Sequence, residues 1–330
     1  KDMLEGLKDD PSKIYDFSDD AKKDLQSFLD EVLTPDVLME INPAMKRLKE
    51  MGAELKIEEN PLDKMDHSKV VVVDYESTYS GGMNFGDDYS GGYEAGKGWT
   101  GKVKKDYWKD YMVHVKGPAS DIQRQLFIGE TLYIPQKMAF GPGQAKLRIL
   151  RNTGGEVPKG ASEKDRAKMK QITHAAYHLL DKAEKTVQIE HAYLMDQGVV
   201  DRMKKAAARG VKVTILRSQP ESKGLEAVNE KFFQQIEGVP NVEIHRIPRV
   251  SHTKLMRVDG NYSLIGSANL SRASLHHHEE VSYLVSGESD FNKSIGRQLD
   301  AITAIARKYE AKRTGVLQAG KEGRADGSAG

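Results

Sequence analysis

The chain has 330 residues, 38% hydrophobic and 30% charged, with 50 basic side chains against 49 acidic and a formal net charge of +1. That is enough apolar material for one large core or two ordinary ones. It is too balanced to give the global positive field of a nucleic-acid binder, although a local basic patch can sit inside a neutral total. The absence of cysteine excludes thiolate chemistry, disulfides and thiol-ligated metals, and leaves the compartment open. No run approaches the roughly 18 apolar residues of a membrane span; Val70–Val73 is typical of the short runs present.

In chain order, the sequence opens at Lys1 without a basic-apolar-small leader, so an export signal or anchor is expected to have been removed or to lie outside it. A secreted or membrane-associated location is expected over a purely cytosolic one. Residues 18–33 (SDDAKKDLQSFLDEVL) read as an amphipathic helix capped by Ser18. A helix near Ala44 to Met51 and a strand from Ala53 to Ile57 follow. Residues 151–164 (RNTGGEVPKGASEK), rich in Gly, Pro and charge, read as a connection. Beyond it, 163–184 carries apolar positions at helical spacing, and Thr186 to Tyr193 reads as a strand. Val199 to Ala208 is helical and closed by Arg209 and Gly210. Val211 to Leu216 is a strand, 224–237 a helix and Val242 to Ile247 a third strand. Such alternation implies an α/β lobe with a mixed, largely parallel sheet flanked by helices. Residues 321–330 read as a disordered tail.

The most specific feature is a repeat. His67 to Tyr75 reads HSKVVVVDY and His252 to Gly260 reads HTKLMRVDG, so HxKxxxxD occurs twice, 185 residues apart. From the composition, about 0.2 such hits are expected by chance even with Arg and Glu allowed as substitutes. Seven, eight and ten residues beyond each Asp stand Gly81, Gly82 and Asn84 in the first copy, and Gly266, Ser267 and Asn269 in the second. Two similar lobes follow, residues 1–150 and 151–320. The first repeats only the helix and strand that precede the motif, and it is expected to be truncated at its N-terminus rather than remodelled.

Strand parity divides each motif. His67 and Lys69 share one face and Asp74 points away, and His252, Lys254 and Asp259 repeat the pattern. The two Asp residues are therefore expected to brace their own turns. Two His, two Lys and two Asn converging on one point suit an anionic diester, because ammonium and amide donors strengthen as charge builds on non-bridging oxygens. One neutral imidazole can attack while the other, protonated, releases the leaving alcohol. The motifs put Lys where a two-metal site needs carboxylates, so neither metal nor cofactor is expected. His276, His277 and His278 are the one place a metal could be argued, but adjacent strand residues cannot all face one ion. Gly81, Gly82 and Gly266 permit a tight turn that presents the Asn. Trp108 and Tyr193 line a substrate mouth, or Trp108 packs in the core.

With these motifs, the sequence resembles the phospholipase D superfamily. The resemblance runs through Asp66 to Tyr89, Trp108 to Phe127, Ile189 to Leu216 and Arg249 to Glu280, most of residues 53–300, with the first 45 outside it. It implies a bilobal fold with one active site at a pseudo-twofold interface and a two-step reaction through a phosphohistidine. Position by position it makes His67 the nucleophile, His252 the general acid, and Lys69, Lys254, Asn84 and Asn269 phosphate ligands. It makes Asp110 and Glu280 the acids that orient the imidazoles, with Glu279 replacing Glu280 if the register slips by one and Asp110 otherwise an ordinary loop carboxylate beside Lys109. The expected activity is hydrolysis of phospholipid headgroups at a membrane surface, or transfer of the phosphatidyl group to an alcohol, by a monomer without obligate nucleic acid. The alternative is a metal-independent nuclease of the same superfamily, for which Lys102, Lys104 and Lys105 form the best basic cluster. A non-catalytic lipid-binding module is disfavoured by two intact motifs.

Overall fold

The computed structural model describes residues 43–53, 65–73, 77–84, 89, 93–94, 98–99, 107–127, 146–218 and 223–325. The expected helix at 18–33, most of the strand at 53–57, Asp74 and the Lys102, Lys104 and Lys105 cluster lie outside them.

A seven-stranded sheet dominates. Its order is Val242–Arg246 (β10), Lys212–Arg217 (β9), Thr186–His191 (β7), Lys254–Val258 (β11), Tyr262–Gly266 (β12), Glu280–Ser286 (β14) and Lys146–Asn152 (β6). The remaining strands are Val70–Val73 (β1), Ser77–Gly81 (β2), Tyr93–Glu94 (β3), Gly98–Trp99 (β4), Met112–Lys116 (β5), Leu194–Met195 (β8) and Leu270–Ser271 (β13). The large sheet is mixed. β10, β9 and β7 are parallel, as helical crossovers require, and β11, β12, β14 and β6 continue it antiparallel. Parallel pairing is thus confined to the strands that alternate with helices; past His252 the chain turns back through tight loops, which can only join antiparallel neighbours. β1, β2 and β5 form a separate three-stranded antiparallel sheet.

Among the described residues the helices are Pro43–Glu50 (α1), Pro118–Phe127 (α2), Glu163–Met169 (α3), Gln171–Lys182 (α4), Gln197–Ala208 (α5), Lys223–Phe233 (α6) and Asp290–Ala325 (α7). The helical stretch expected at 163–184 is broken in two at Lys170. That residue leaves helical geometry to bridge Asn152 and donates Nζ to Thr153 O at 2.5 Å and Gly155 O at 2.8 Å. The segment expected as a connection thus ends β6 and starts α3, and the expected lobe boundary at 150/151 falls inside β6. α7 continues to Ala325, into the segment expected as a tail.

The two sheet faces bury different cores. Val187, Ile189, Val213, Ile215, Met256 and Val258 face α4 and α5. Leu216, Leu255, Ile265 and Tyr283 face the other way, against Ile295, Leu299 and Ala306 of α7 and Val113 and Val115 of β5. One large sheet therefore carries helices on one side and, on the other, α7 together with the small sheet. Among the described residues no helix is long and apolar enough to cross a membrane.

Candidate active site

Each HxK segment is an extended stretch leading into a strand, His67 to Lys69 before β1 and His252 to Thr253 before β11. The extended backbone returns each lysine to its own histidine: Lys69 Nζ donates to His67 O at 2.6 Å and Lys254 Nζ to His252 O at 2.5 Å. His and Lys therefore lie together in both copies.

The acids are exchanged between the copies. His67 Nδ1 lies 3.0 and 3.1 Å from the two carboxylate oxygens of Glu280, 213 residues away, and His252 Nδ1 lies 2.9 Å from Asp110 Oδ2. Backbone pairing enforces the exchange. His67 N donates to Glu279 O and Glu279 N to Met65 O, both at 2.9 Å; Lys109 N donates to Val250 O at 3.0 Å and His252 N to Lys109 O at 2.8 Å. These are two isolated parallel bridges, Asp66 with Glu279 and Lys109 with Ser251, in matching positions of the two copies. Glu279 does not replace Glu280, since its carboxylate pairs with Arg151 on β6.

The two pockets adjoin. Gly82 donates its N–H to Tyr111 O at 3.2 Å, and a Cβ at Gly82 would lie 2.6 Å from both Asp110 carboxylate oxygens and 2.8 Å from Lys254 Cδ. Only a glycine lets the first-copy turn come this close to the second-copy lysine. At the matching place in the second copy, Ser267 donates its hydroxyl to Glu280. Burial alone would raise the Glu280 carboxyl, but His67, Ser267 and Ser274 outweigh it and hold the group below the usual glutamate value, ionised at neutral pH. Lys69 is held below the ordinary lysine value by burial, against the opposing pull of Glu280, Asp66 and Asp110.

Around His252 the contacts decide the tautomer. Its Nδ1 is also 2.7 Å from Lys254 Nζ, but one ring nitrogen cannot both donate to a carboxylate and accept from an ammonium. The anionic Asp110 acceptor favours Nδ1–H, with the lysine directed to the His252 carbonyl. In both histidines the carboxylate therefore takes Nδ1. Trp108 and Tyr89 stand 5.8 and 5.6 Å from the His252 ring, so Trp108 sits at the site rather than in the core. Tyr193 is half-buried in the loop after β7.

Asn269 is buried, and its Oδ1 has no hydrogen-bond partner. Asn84 is exposed and donates to Tyr89 OH at 3.3 Å. Asp259 stands at the far end of β11 from His252. It accepts from the backbone N–H groups of Glu184, Lys185 and Thr186 at 3.0, 2.8 and 2.9 Å. It therefore braces the loop into β7, and neither touches an imidazole nor braces the turn that carries Asn269. His276 and His277 lie in a π-turn, Ala273–His277, rather than on a strand. His276 Nε2 is 3.0 Å from Asp196 Oδ2, and the ring of His278 lies 6.0 Å from that of His67. Among the described residues no group of His and acidic side chains is arranged to hold a metal ion.

Two features had little local signal. Lys109 forms a buried ion pair with Glu190 on β7 at 2.5 Å, and Ser251 Oγ donates to the same carboxylate at 2.8 Å; the partners are 81 residues apart in sequence. His191, opposite Lys254 on β7, is buried, and burial with the nearby lysine pushes its pKa down to about 3. The Ser267 contact was discoverable: a hydroxyl stands where the other copy has Gly82, and a longer Glu where it has Asp.

The fold and the doubled histidine site are similar to those of the phospholipase D superfamily. Residues 177–303, which include the second motif and Glu280, match the family model described as cardiolipin synthase, PLD-like domain. The chain is 26% identical over 228 residues to a cardiolipin synthase of Geobacillus sp. (strain WCH70), covering 68% of this chain and 43% of that protein. It is 25% identical over 222 residues to cardiolipin synthase 2 of Bacillus cereus, covering 66% and 41%. The chain thus spans less than half the length of these relatives. The crystal structure of phosphatidylserine synthase from Haemophilus influenzae Rd KW20 is similar in fold, with a TM-score of 0.52 and 14% identity over 72% of this chain and 62% of that one.

Proposed function

We propose that the chain is a phospholipase D-type phosphodiesterase that passes a phosphatidyl group from a phospholipid to an alcohol or to water. The observation that carries this is the exchange of acids, His67 with Glu280 and His252 with Asp110. It gives two imidazoles, each oriented through Nδ1 by its own carboxylate, and so two groups that can hold opposite protonation states in one reaction.

In the first step His67 Nε2 attacks phosphorus and the phosphorus–oxygen bond to the leaving alcohol breaks, while His252 Nε2 delivers its proton to that alcohol. In the second step neutral His252 takes a proton from water or an acceptor alcohol, whose oxygen attacks phosphorus and breaks the phosphorus–nitrogen bond. Lys69, Lys254 and Asn269 line the site as donors for the non-bridging oxygens. Glu280 and Asp110, each against Nδ1 of its ring, stabilise whichever imidazole carries the extra proton. The curated relatives, named for the synthesis of a phospholipid, favour a lipid substrate over DNA and transfer over hydrolysis.

The test is incubation with mixed phospholipids and ethanol in EDTA. Phosphatidylethanol reports transfer and phosphatidic acid hydrolysis, and His67→Ala or His252→Ala should lower either product at least about 100-fold. Wild-type turnover in either variant sinks the mechanism; plasmid degradation without phospholipid turnover makes the chain a nuclease instead.

A further inference from the structure

A second polar concavity lies away from the histidines. β11 begins at Lys254, two residues after His252, and Arg257 lies three residues further along the strand, about 10 Å at strand rise. It points to the opposite face, the one α7 covers. There the sheet and α7 enclose about 460 Å³ lined by Thr186, Lys212, Thr214, Arg257, Asp300 and Arg307, with Gln188 and Thr303 completing the wall.

The lining is built around a cation that makes no direct ion pair, Asp300 acting on it only at a distance. β11 is the central strand of the sheet, and its other residues after Lys254, Leu255, Met256 and Val258, are apolar and buried. Arg257 is half-buried, and no carboxylate among the described residues contacts it. Its NH1 donates to the neutral Gln188 Oε1 at 2.8 Å and its NH2 to Gly260 O at 3.2 Å, while Nε has no acceptor. Gln188 relays to Asp300 through Nε2 at 3.0 Å. The fold makes room for this guanidinium: a Cβ at Gly296 of α7 would lie 2.7 Å from Arg257 NH2 and 2.8 Å from its Cζ. Glycine inside a helix costs about 1 kcal/mol relative to alanine, a cost tied here to holding one charge.

Two further cations stand at the rim. Lys212 Nζ and Arg307 NH2 both reach Glu243, at 3.2 and 2.7 Å, so one carboxylate is shared between them. The cavity thus presents three cations and the threonine side chains of β7 and β9 against one lining carboxylate and one at the rim. Arginine and lysine donors around hydroxyls suit a tetrahedral oxyanion with several acceptors. The volume exceeds what a bare anion needs and falls in the range of small-molecule sites.

We propose that this cavity binds a phosphate group, as the free ion or as the phosphomonoester end of a larger molecule, at a site separate from the histidine pocket. Arg257 and the threonines hold the group, and Lys212 and Arg307 close over it from the rim. The site does not depend on the reaction assigned to the histidines, because it is read by binding.

Crystals of the chain soaked in tungstate, a phosphate analogue located by its anomalous signal, test the position. The expected peak lies between Arg257, Lys212 and Thr214 and is absent in Arg257→Gln. In solution, inorganic phosphate is titrated calorimetrically against the wild type and against Lys212→Ala/Arg307→Ala, whose side chains are 55% and 53% exposed, so folding is not at stake. An affinity about tenfold weaker in the double variant supports the site. Cosedimentation with phosphatidic acid vesicles separates the sources: binding weakened by the double variant assigns a lipid headgroup, and binding indifferent to it, with phosphate affinity still lost, assigns a soluble ester. Tungstate confined to the histidine pocket, or a phosphate titration unchanged in the double variant, overturns the proposal.

Discussion

Replacing Lys109 by methionine removes one charge from the pair that ties the segment before Asp110 to β7. Lys109 is 10% exposed at its side chain and Glu190 not at all. Burial pulls the lysine below its ordinary pKa while Glu190, and more weakly Asp110, pull it back up, so the ammonium is held chiefly by the Glu190 carboxylate in a dry place. The methionine keeps the apolar stem but leaves the buried Glu190 carboxylate with the Ser251 hydroxyl as its remaining side-chain donor. Breaking a buried pair on one side costs about 3–5 kcal/mol, whereas replacing both charges is far milder. Lys109→Met should therefore lose about 3–5 kcal/mol in urea denaturation followed by tryptophan fluorescence. Lys109→Met/Glu190→Gln should recover most of it, with a coupling energy above about 2 kcal/mol in the double-mutant cycle. A single variant within about 1 kcal/mol of wild type, or a double variant no better than the single, refutes this account of the interface.

Further expectations concern pH, the turn and the motif aspartate. Burial holds His191, His277 and His278 neutral, at about 3, 3 and 4 against an ordinary 6.5. Each binds a proton more readily in the unfolded chain, so its stability contribution is full above about 6.5 and drains as pH falls toward about 3 for His191 and His277 and about 4 for His278. Denaturation midpoints between pH 7 and 5 should show this slope, and His191→Gln should flatten it; an unchanged slope counts against a neutral buried His191. Gly82→Ala should cost about 1–3 kcal/mol through overpacking against Asp110 and Lys254 and should depress phospholipid turnover, so a wild-type rate would show that the turn has slack. Asp259→Ala should cost about 1–3 kcal/mol by orphaning the N–H groups of residues 184–186, with kcat unchanged. A selective loss of kcat would return Asp259 to the chemistry.

The second half of the fold was legible because its apolar periodicity is regular. The strands and helices from Thr186 to Arg246 lie within a few residues of their expected ends, and Asp196 and Gly210 mark α5 with ordinary capping chemistry. The break at Lys170 was not legible, because nothing near it in sequence announces that Asn152 and the carbonyls of Thr153 and Gly155 will claim it. Strand parity correctly placed His and Lys together, and Asp259 away from them, but parity says nothing about which loop a distant carboxylate will reach. The doubled motif marked where the histidines are. That each would take the acid of the other copy depends on two isolated backbone bridges, for which a strand pattern carries no information.

That exchange has a consequence for the history and engineering of the molecule. A repeat whose halves each held their own acid could lose one copy and keep a reduced function in the other. Here His67 depends on Glu280 and His252 on Asp110, so damage to either half disarms both histidines at once. The duplication has become indivisible.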